Sequence, residues 1–361
     1  MIGIVDRYVG RVVLVAILAV LIAFLALLSI FALIEELGEN EPGYTFSNAL
    51  TYIFLTLPRR TYELIPYVAF LGSLIGLGHL AANQELVALR AAGMSIVRLY
   101  RGLLWVLCII LVGGFLIGEY LAPQGEQIAE TGKLKQQHGN EAIKLKEGYW
   151  YREDGMYMRV DAIDGQGVLW GVAQHKLDTD GELSYSRIAR KAQHVPAQET
   201  TKAHWMLYDV VETMRQDGVL TTRKADRIIW NSDVQPSLLG VKVFIDANKL
   251  SVSDLFYQID YMKREDLHAQ RYQLAFWSKL LQPLSVIGLT LLAMVFVMGP
   301  LRSVSIGARL AAGILTGLVF KYFQDMFGPI CVVYGLPAVI AVLIPIAICW
   351  IVAIIGIRKV Q

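Results

Sequence analysis

The feature that most constrains this chain is residues 12–34, where 23 consecutive side chains include a single polar group, the hydroxyl of Ser29. About 20 apolar residues are enough to cross a bilayer. Arg7 and Arg11 precede the run, as in a signal peptide. The run is too long for an h-region, however, and Glu35-Glu36 follows where small residues would mark a cleavage site. It reads as an uncleaved first span. Five more runs follow: 64–84, 102–120, 280–301 (entering near Tyr272), 308–327 and 336–357. Charged residues make up 18% of the chain, against about 25% in soluble domains, and the deficit lies in these runs. Residues 35–63 read as a polar connection. Pro123 ends the third span and Gly328-Pro329 the fifth. Gly72 and Gly76 let a neighbouring helix approach the second span closely. Gln282-Pro283 predicts a kink in the fourth.

Basic residues give the orientation. One side collects Arg7, Arg11, Arg90, Arg98, Arg101, Arg302, Arg309, Arg358 and Lys359; the short loops of the other side carry Arg59 and Arg60. The first side is cytoplasmic, so both termini face the cytoplasm. Between the third and fourth spans lies a water-soluble stretch. Asp154-Gly155, Asp180-Gly181 and Asp217-Gly218 punctuate it, each between β-branched and aromatic residues. Asp-Gly suits a type I′ hairpin, whose central residues need positive φ. Trp205, Leu207, Asp209 and Val211 alternate with period two. The stretch predicts an all-β sandwich or jelly roll facing outward. Ser251 and Asp254 then open a short helix with Leu255, Ile259 and Met262 on one face.

Residues 83–95 lie between the second and third spans, on the cytoplasmic side. Leu86 and Leu89 share a helical face, Glu85 and Arg90 supply charge, and Gly93 is a C-cap. Two readings stand: a surface helix that turns the chain around, or a knob offered to a cytosolic partner. The chain itself has no GxxxxGK[ST], HExxH or GxSxG pattern. Its net charge of +2 does not point to nucleic acid. Cys108, Cys331 and Cys349 all lie in apolar segments and form no metal spacing. Acids suited to a proton relay are nearly missing, since Glu119 sits near a span end and Asp325 follows Lys321 by one turn.

Several pieces of the chain resemble the permeases of the lipopolysaccharide export ABC transporter, the LptF/LptG family, and its LptG branch in particular. They are Val5-Asp6-Arg7-Tyr8, Glu85-Leu86 with Ala92-Gly93, Gly118-Glu119 with Ala122-Pro123-Gln124-Gly125-Glu126, Arg271-Tyr272-Gln273-Leu274 with Trp277-Ser278-Lys279, Gln282-Pro283-Leu284, and Gly299-Pro300-Leu301-Arg302-Ser303-Val304. Their order and spacing cover essentially the whole chain.

The resemblance implies an α-helical protein of the bacterial inner membrane, with six transmembrane helices and an inserted periplasmic jelly-roll-like β domain. Residues 1–135 hold spans one to three, 136–250 the β domain, and 251–361 the connecting helix and spans four to six. It implies an LptF-like permease partner, an LptB-like ATPase dimer that binds ATP and magnesium, and an LptC-like single-span protein. The resemblance also implies a non-catalytic subunit with no cofactor of its own. Glu85, Leu86, Leu89 and Arg90 would meet the ATPase. Moving acyl chains through water costs about 0.8 kcal/mol per CH₂, so the lipid's route must be apolar throughout. Its phosphates want cations at the outer rim, and the candidates are Arg59, Arg60, Lys133, Lys135 and Lys321. The alternative for the first four is interfacial anchoring, and for Lys321 a structural pair with Asp325. Members of the LptG branch often carry a basic residue near the outer end of the first span, where this chain has Ala32, Glu35 and Glu36. Two other readings remain: a membrane-anchored scaffold for periplasmic proteins, and an efflux-type ABC permease.

Overall fold

The computed structural model describes residues 3–38, 45–138, 143–153, 155–163, 168–178, 182–196, 203–216, 219–232, 246–264, 267, 269–298 and 305–360. The first two helices, α1 (Ile4–Gly38) and α2 (Phe46–Ala82), have 35 and 37 residues. At 1.5 Å per residue each is over about 50 Å long, more than a bilayer's hydrocarbon core. The buried edge of α1 is Val9, Val13, Ile17 and Val20, at helical spacing. It lies directly on Gly72 and Gly76 of α2. A Cβ on Gly72 would sit 2.5 Å from the Ile17 Cα, and one on Gly76 2.9 Å from the Val13 Cα. The expected close approach is there, backbone against backbone.

The polar connection expected over residues 35–63 is mostly helix. Arg59, Glu63 and Glu36 are each ion-paired with a residue of the same or a neighbouring helix, Glu36 in a buried position, so those residues do not need an open loop. Pro58 is held inside α2. The third span also runs past its expected end. Helix α3 (Glu85–Ala91) leads to α4 (Ile96–Leu116), a π-helical turn at Ile117–Leu121, and α5 (Ala122–His138). Pro123 falls directly after the wide turn, where the missing N–H and the ring are accommodated.

Six strands follow: β1 (Ile143–Glu153), β2 (Met156–Ile163), β3 (Leu169–Leu177), β4 (Leu183–Val195), β5 (His204–Gln216) and β6 (Val219–Trp230). They form one antiparallel sheet in sequence order. Glu153 pairs with Met156 and Gln216 with Val219, leaving two-residue loops at two of the expected turns. Gly155 has φ +75°; Asp154, residues 180–181 and residues 217–218 lie outside the described residues. A jelly roll sets strands distant in sequence side by side, whereas each described strand pairs only with its neighbours in the chain.

The strand periodicity breaks along a line across the sheet. Gly171 has φ +65° and Asp209 φ +52°, and Arg190 lies between their strands. Either side of that line, Leu169 and Val172, Ala189 and Ala192, and Leu207 and Val210 are all buried. The alternation expected through Trp205, Leu207 and Val211 therefore slips after Leu207, and Val210 takes the core position. Met158, Val160, Trp205 and Trp230 complete this core.

A 3₁₀ turn at Ala247–Lys249 and helix α6 (Val252–Arg264) return the chain to the membrane helices. Helices α7 (Gln270–Leu280) and α8 (Gln282–Met298) are bent by 50° at the expected Gln282-Pro283 kink. Helices α9 (Ile306–Val333) and α10 (Ala338–Val360) complete the fold. Among the described residues four helices are long and apolar enough to cross a membrane, or five when α7 and α8 count as one broken span. The expected fifth span, α9, has the length but carries Lys321, Gln324 and Asp325 at mid-helix. It continues through Gly328-Pro329 instead of ending there. The exit loop expected at residues 299–303 lies outside the described residues.

Candidate functional site

Helices α2, α7, α9 and α10 wall a cavity of about 500 Å³. Its charged lining is Arg59, Glu63, Lys249, Lys279, Lys321 and Asp325, four cations against two carboxylates. Arg59 donates to Glu126 at 2.9 Å and to Glu63 at 2.8 Å. Lys321 meets Asp325 one turn away at 2.6 Å, and its ammonium lies 5.8 Å from the Tyr67 ring centre. Lys279 donates to the Leu250 carbonyl at 2.6 Å and lies 5.2 Å from the Tyr62 ring centre. The Gln282 amide donates to the Tyr62 carbonyl at 3.0 Å, so the kink residue itself ties α8 to α2. The Ser285 hydroxyl lines the cavity, buried and without a protein partner. Arg59, Lys249 and Lys321 are each paired with carboxylates, while Lys279 is held by a backbone carbonyl, so Lys279 is the lining cation whose charge no carboxylate contact offsets.

Of the five predicted lipid-facing cations, Arg59 and Lys321 share this cavity. Arg60 does not; it reaches towards Thr56 and the Leu28 carbonyl, both at 3.4 Å. Lys133 pairs with Glu36 at 2.7 Å, with its ammonium 5.3 Å from the Tyr52 ring centre. Beside that pair Ala32 is buried, so the acid at the end of α1 is matched by a base from α5. The side chain of Lys135 lies outside the described residues. Sequence reasoning missed Lys249, Lys279 and Glu126. Lys279 and Glu126 stand in pieces quoted above, but an isolated Lys or Glu at a helix end reads as surface charge.

Tyr8 and Glu85 bring the starts of α1 and α3 together, with the hydroxyl donating to the carboxylate at 2.8 Å. Helix α3 begins after Gln84 at φ 59° and ends in a Schellman motif. Met94 N–H bonds the Leu89 carbonyl at 3.1 Å and Gly93 N–H the Arg90 carbonyl at 3.0 Å, with Gly93 at φ +82°. The expected C-cap is present. The expected partner-facing leucines are corrected. Leu86 is buried in the core formed by α1, α2 and α4, and Leu89 packs half-buried against the same core. A seven-residue helix lying on its own bundle needs those leucines as its anchor. The outward face is Val87, Ala88, Arg90 and Ala91.

On the sheet, Leu169 faces the core while Trp150 is exposed, with Arg159 over its ring. Beside the apolar core runs a buried polar row. Arg187 donates to Glu212 at 2.9 Å and to Gln174 at 3.2 Å, and the Tyr185 hydroxyl donates to Glu212 at 2.6 Å. Burial opposes ionisation of Glu212, but the hydrogen bonds from Tyr185 and Arg187 outweigh it and hold its carboxyl below the ordinary range. Burial and the same bond push Tyr185 up to about 12. No cluster of metal-ligating side chains occurs among the described residues.

Comparison with known proteins covers nearly the whole chain. The family model for the lipopolysaccharide export system permease LptF/LptG matches residues 7–359. The lipopolysaccharide export system permease protein LptG of Escherichia coli K12 is 31% identical over 347 residues, covering 96% of this chain and 95% of that protein. The LptG protein of Haemophilus influenzae gives the same identity and the same coverage of both chains.

Proposed function

The chain belongs to the lipopolysaccharide export permease family LptF/LptG, and from that premise we propose that it is the LptG-type half of a lipid-extracting ABC transporter. In this reading it sits in the bacterial inner membrane as six spans, α9 included, with both termini cytoplasmic. It pairs with an LptF-like permease and an LptC-like single-span protein. An LptB-like ATPase dimer, carrying ATP and magnesium, docks on the outward face of α3. The chain itself performs no chemistry. The sheet, completed towards a jelly-roll-like domain, stands in the periplasm and passes lipid to a bridge.

The observation that carries this reading is the convergence of Arg59 from within α2, Lys279 from the end of α7 and Lys321 from the middle of α9 on one cavity. A lipopolysaccharide places phosphates directly above several acyl chains. Charged side chains near the bilayer centre cost roughly 2.5–3.5 kcal/mol and persist for a reason. The Lys321–Asp325 pair gives α9 little stability by itself, since a base before an acid is the weaker order at i,i+4. A contact with lipid phosphate supplies the reason. Leu169, Val172 and Leu207 pack into the sheet's own core, and in this reading the sheet opens there to admit the acyl chains.

Two measurements test the reading together. A photo-crosslinker at Leu169 is expected to capture lipopolysaccharide only with ATP present, while one at the exposed Trp150 does not. The change Lys321→Leu/Asp325→Leu is expected to give a stable but export-poor protein, with Lys321→Arg keeping much of the activity. A fully active double variant, or lipid adducts absent from every inward position, would overturn the lipid assignment.

A further inference from the structure

The stretch Gly118-Glu119…Gly125-Glu126 has a use that neither the cavity nor α3 absorbs. Glu119 lies in the π turn and Glu126 in α5, and both carboxylates turn to one short segment, residues 246–254, where the chain returns from the sheet. Glu119 accepts the N–H groups of Val252 and Ser253 at 2.9 and 3.1 Å, and also the Ser253 hydroxyl. Those amides belong to the first turn of α6, which has no intrahelical partner for them. Glu126, with no exposed surface, meets Lys249 at 2.7 Å, and Glu130 meets the same ammonium at 2.9 Å. From the opposite side Lys279 holds the Leu250 carbonyl at 2.6 Å, and Arg271 meets Asp246 at 2.7 Å. Helix α6 leads away from this joint with Leu255 and Ile259 buried. Near its far end the Tyr261 hydroxyl donates to the Arg152 carbonyl of β1 at 2.6 Å.

We propose that Glu119, together with Glu126 and Lys249, forms a clasp that makes α6 a strut between the third membrane helix and strand β1, so that movement of the membrane helices sets the position of the sheet. A π turn is where a long helix changes its path, and Glu119 sits in it. Glu119 and Glu126 are positioning residues outside the lining of the charged cavity, and Lys249 belongs both to the clasp and to that lining. The clasp stands on this chain's geometry, while its use in lipid delivery rests on the export reading.

The test uses the full chain in its transporter complex in lipid nanodiscs. Spin labels replace Val112 on α4 and Ile188 on β4, both exposed, in a background where the exposed Cys108 is serine. Wild type is expected to give a narrow distance distribution that shifts when nucleotide binds. In Glu119→Ala the distribution broadens at least twofold, the shift is lost, and lipid transfer falls at least fivefold while ATP hydrolysis stays within twofold of wild type. Glu119→Gln, which keeps one acceptor oxygen and the side-chain volume, gives an intermediate broadening; it decides the matter alone if the alanine variant does not assemble. An unchanged distribution in these variants, or a broadened one with intact lipid transfer, overturns the proposal. If the wild-type complex moves no lipid, the export reading fails, and the distance distributions still decide the clasp.

Discussion

Replacing Glu126 by glutamine removes the most deeply buried charge among the described residues. The carboxylate has no exposed surface and meets Arg59 at 2.9 Å and Lys249 at 2.7 Å. The Arg59 hydrogen bond to this charged group contributes about 1.5–3 kcal/mol, and the Lys249 contact adds to it as a buried ion pair without hydrogen-bond geometry, for a gross figure of about 3–5 kcal/mol. Two features reduce it. Arg59 keeps Glu63 at 2.8 Å and Lys249 keeps Glu130 at 2.9 Å, so neither cation is stranded. Glutamine also retains an acceptor oxygen. A net cost of about 2–4 kcal/mol follows for Glu126→Gln, rising to about 3–5 kcal/mol for Glu126→Leu, which leaves no acceptor. Reversible unfolding in mixed micelles measures both. A cycle with Lys249→Gln is expected to return a coupling energy of about 1–3 kcal/mol. A Glu126→Gln variant within about 0.5 kcal/mol of wild type, the range of an ordinary surface change, would show that this buried charge adds nothing to stability.

Three further expectations follow from the packing. Any side chain at Gly72 must push α1 away, because its Cβ would lie 2.5 Å from the Ile17 Cα; Gly72→Ala should cost about 1–3 kcal/mol in the same unfolding assay, while Gly38→Ala, with open space around it, should not. Leu86→Ala should destabilise the isolated chain by about 2–5 kcal/mol, as a core truncation does, whereas Val87→Asp should leave stability unchanged and weaken co-purification of the ATPase. Glu212 has a folded pKa below its ordinary value of 4.5, so its contribution is complete above that value and is lost as the pH falls through the folded pKa. Fluorescence of the stacked pair Trp205 and Trp230 should therefore report acid opening of the sheet below about pH 4.5, with a flatter pH profile in Glu212→Gln.

Much of the architecture was legible from elementary patterns. The apolar runs, the Gly72/Gly76 approach, the Gln282-Pro283 bend, the Gly93 cap and two of the β hairpins all depend on local chemistry that a sequence carries openly. What failed depended on distant partners. The charged stretch around Arg59 and Glu63 read as a loop because its long-range partner, Glu126, is 67 residues away from Arg59. Pro123 read as a stop because the π turn that accommodates it has no local signature. Leu86 and Leu89 read as a partner-facing pair because amphipathicity gives a face but not what covers it, and here the chain's own bundle does. Asp209 hid a break in strand period, since a left-handed aspartate looks like any polar position. At the cavity, Arg59 and Lys321 were found as charges near apolar runs. Lys249 and Lys279 were not, because only the return of the chain after the sheet brings them there.

The proposed role is that this chain, with partner permease and ATPase, moves lipid out of a membrane. The most direct measurement places the purified complex in liposomes containing lipopolysaccharide and follows loss of that lipid to an acceptor after ATP is added. The expected result is time-dependent loss that requires ATP hydrolysis and is reduced by Lys321→Leu/Asp325→Leu at unchanged assembly. Lipid that stays in the liposomes while the complex hydrolyses ATP and still holds its periplasmic partners would contradict it, and would leave the chain as a membrane-anchored scaffold.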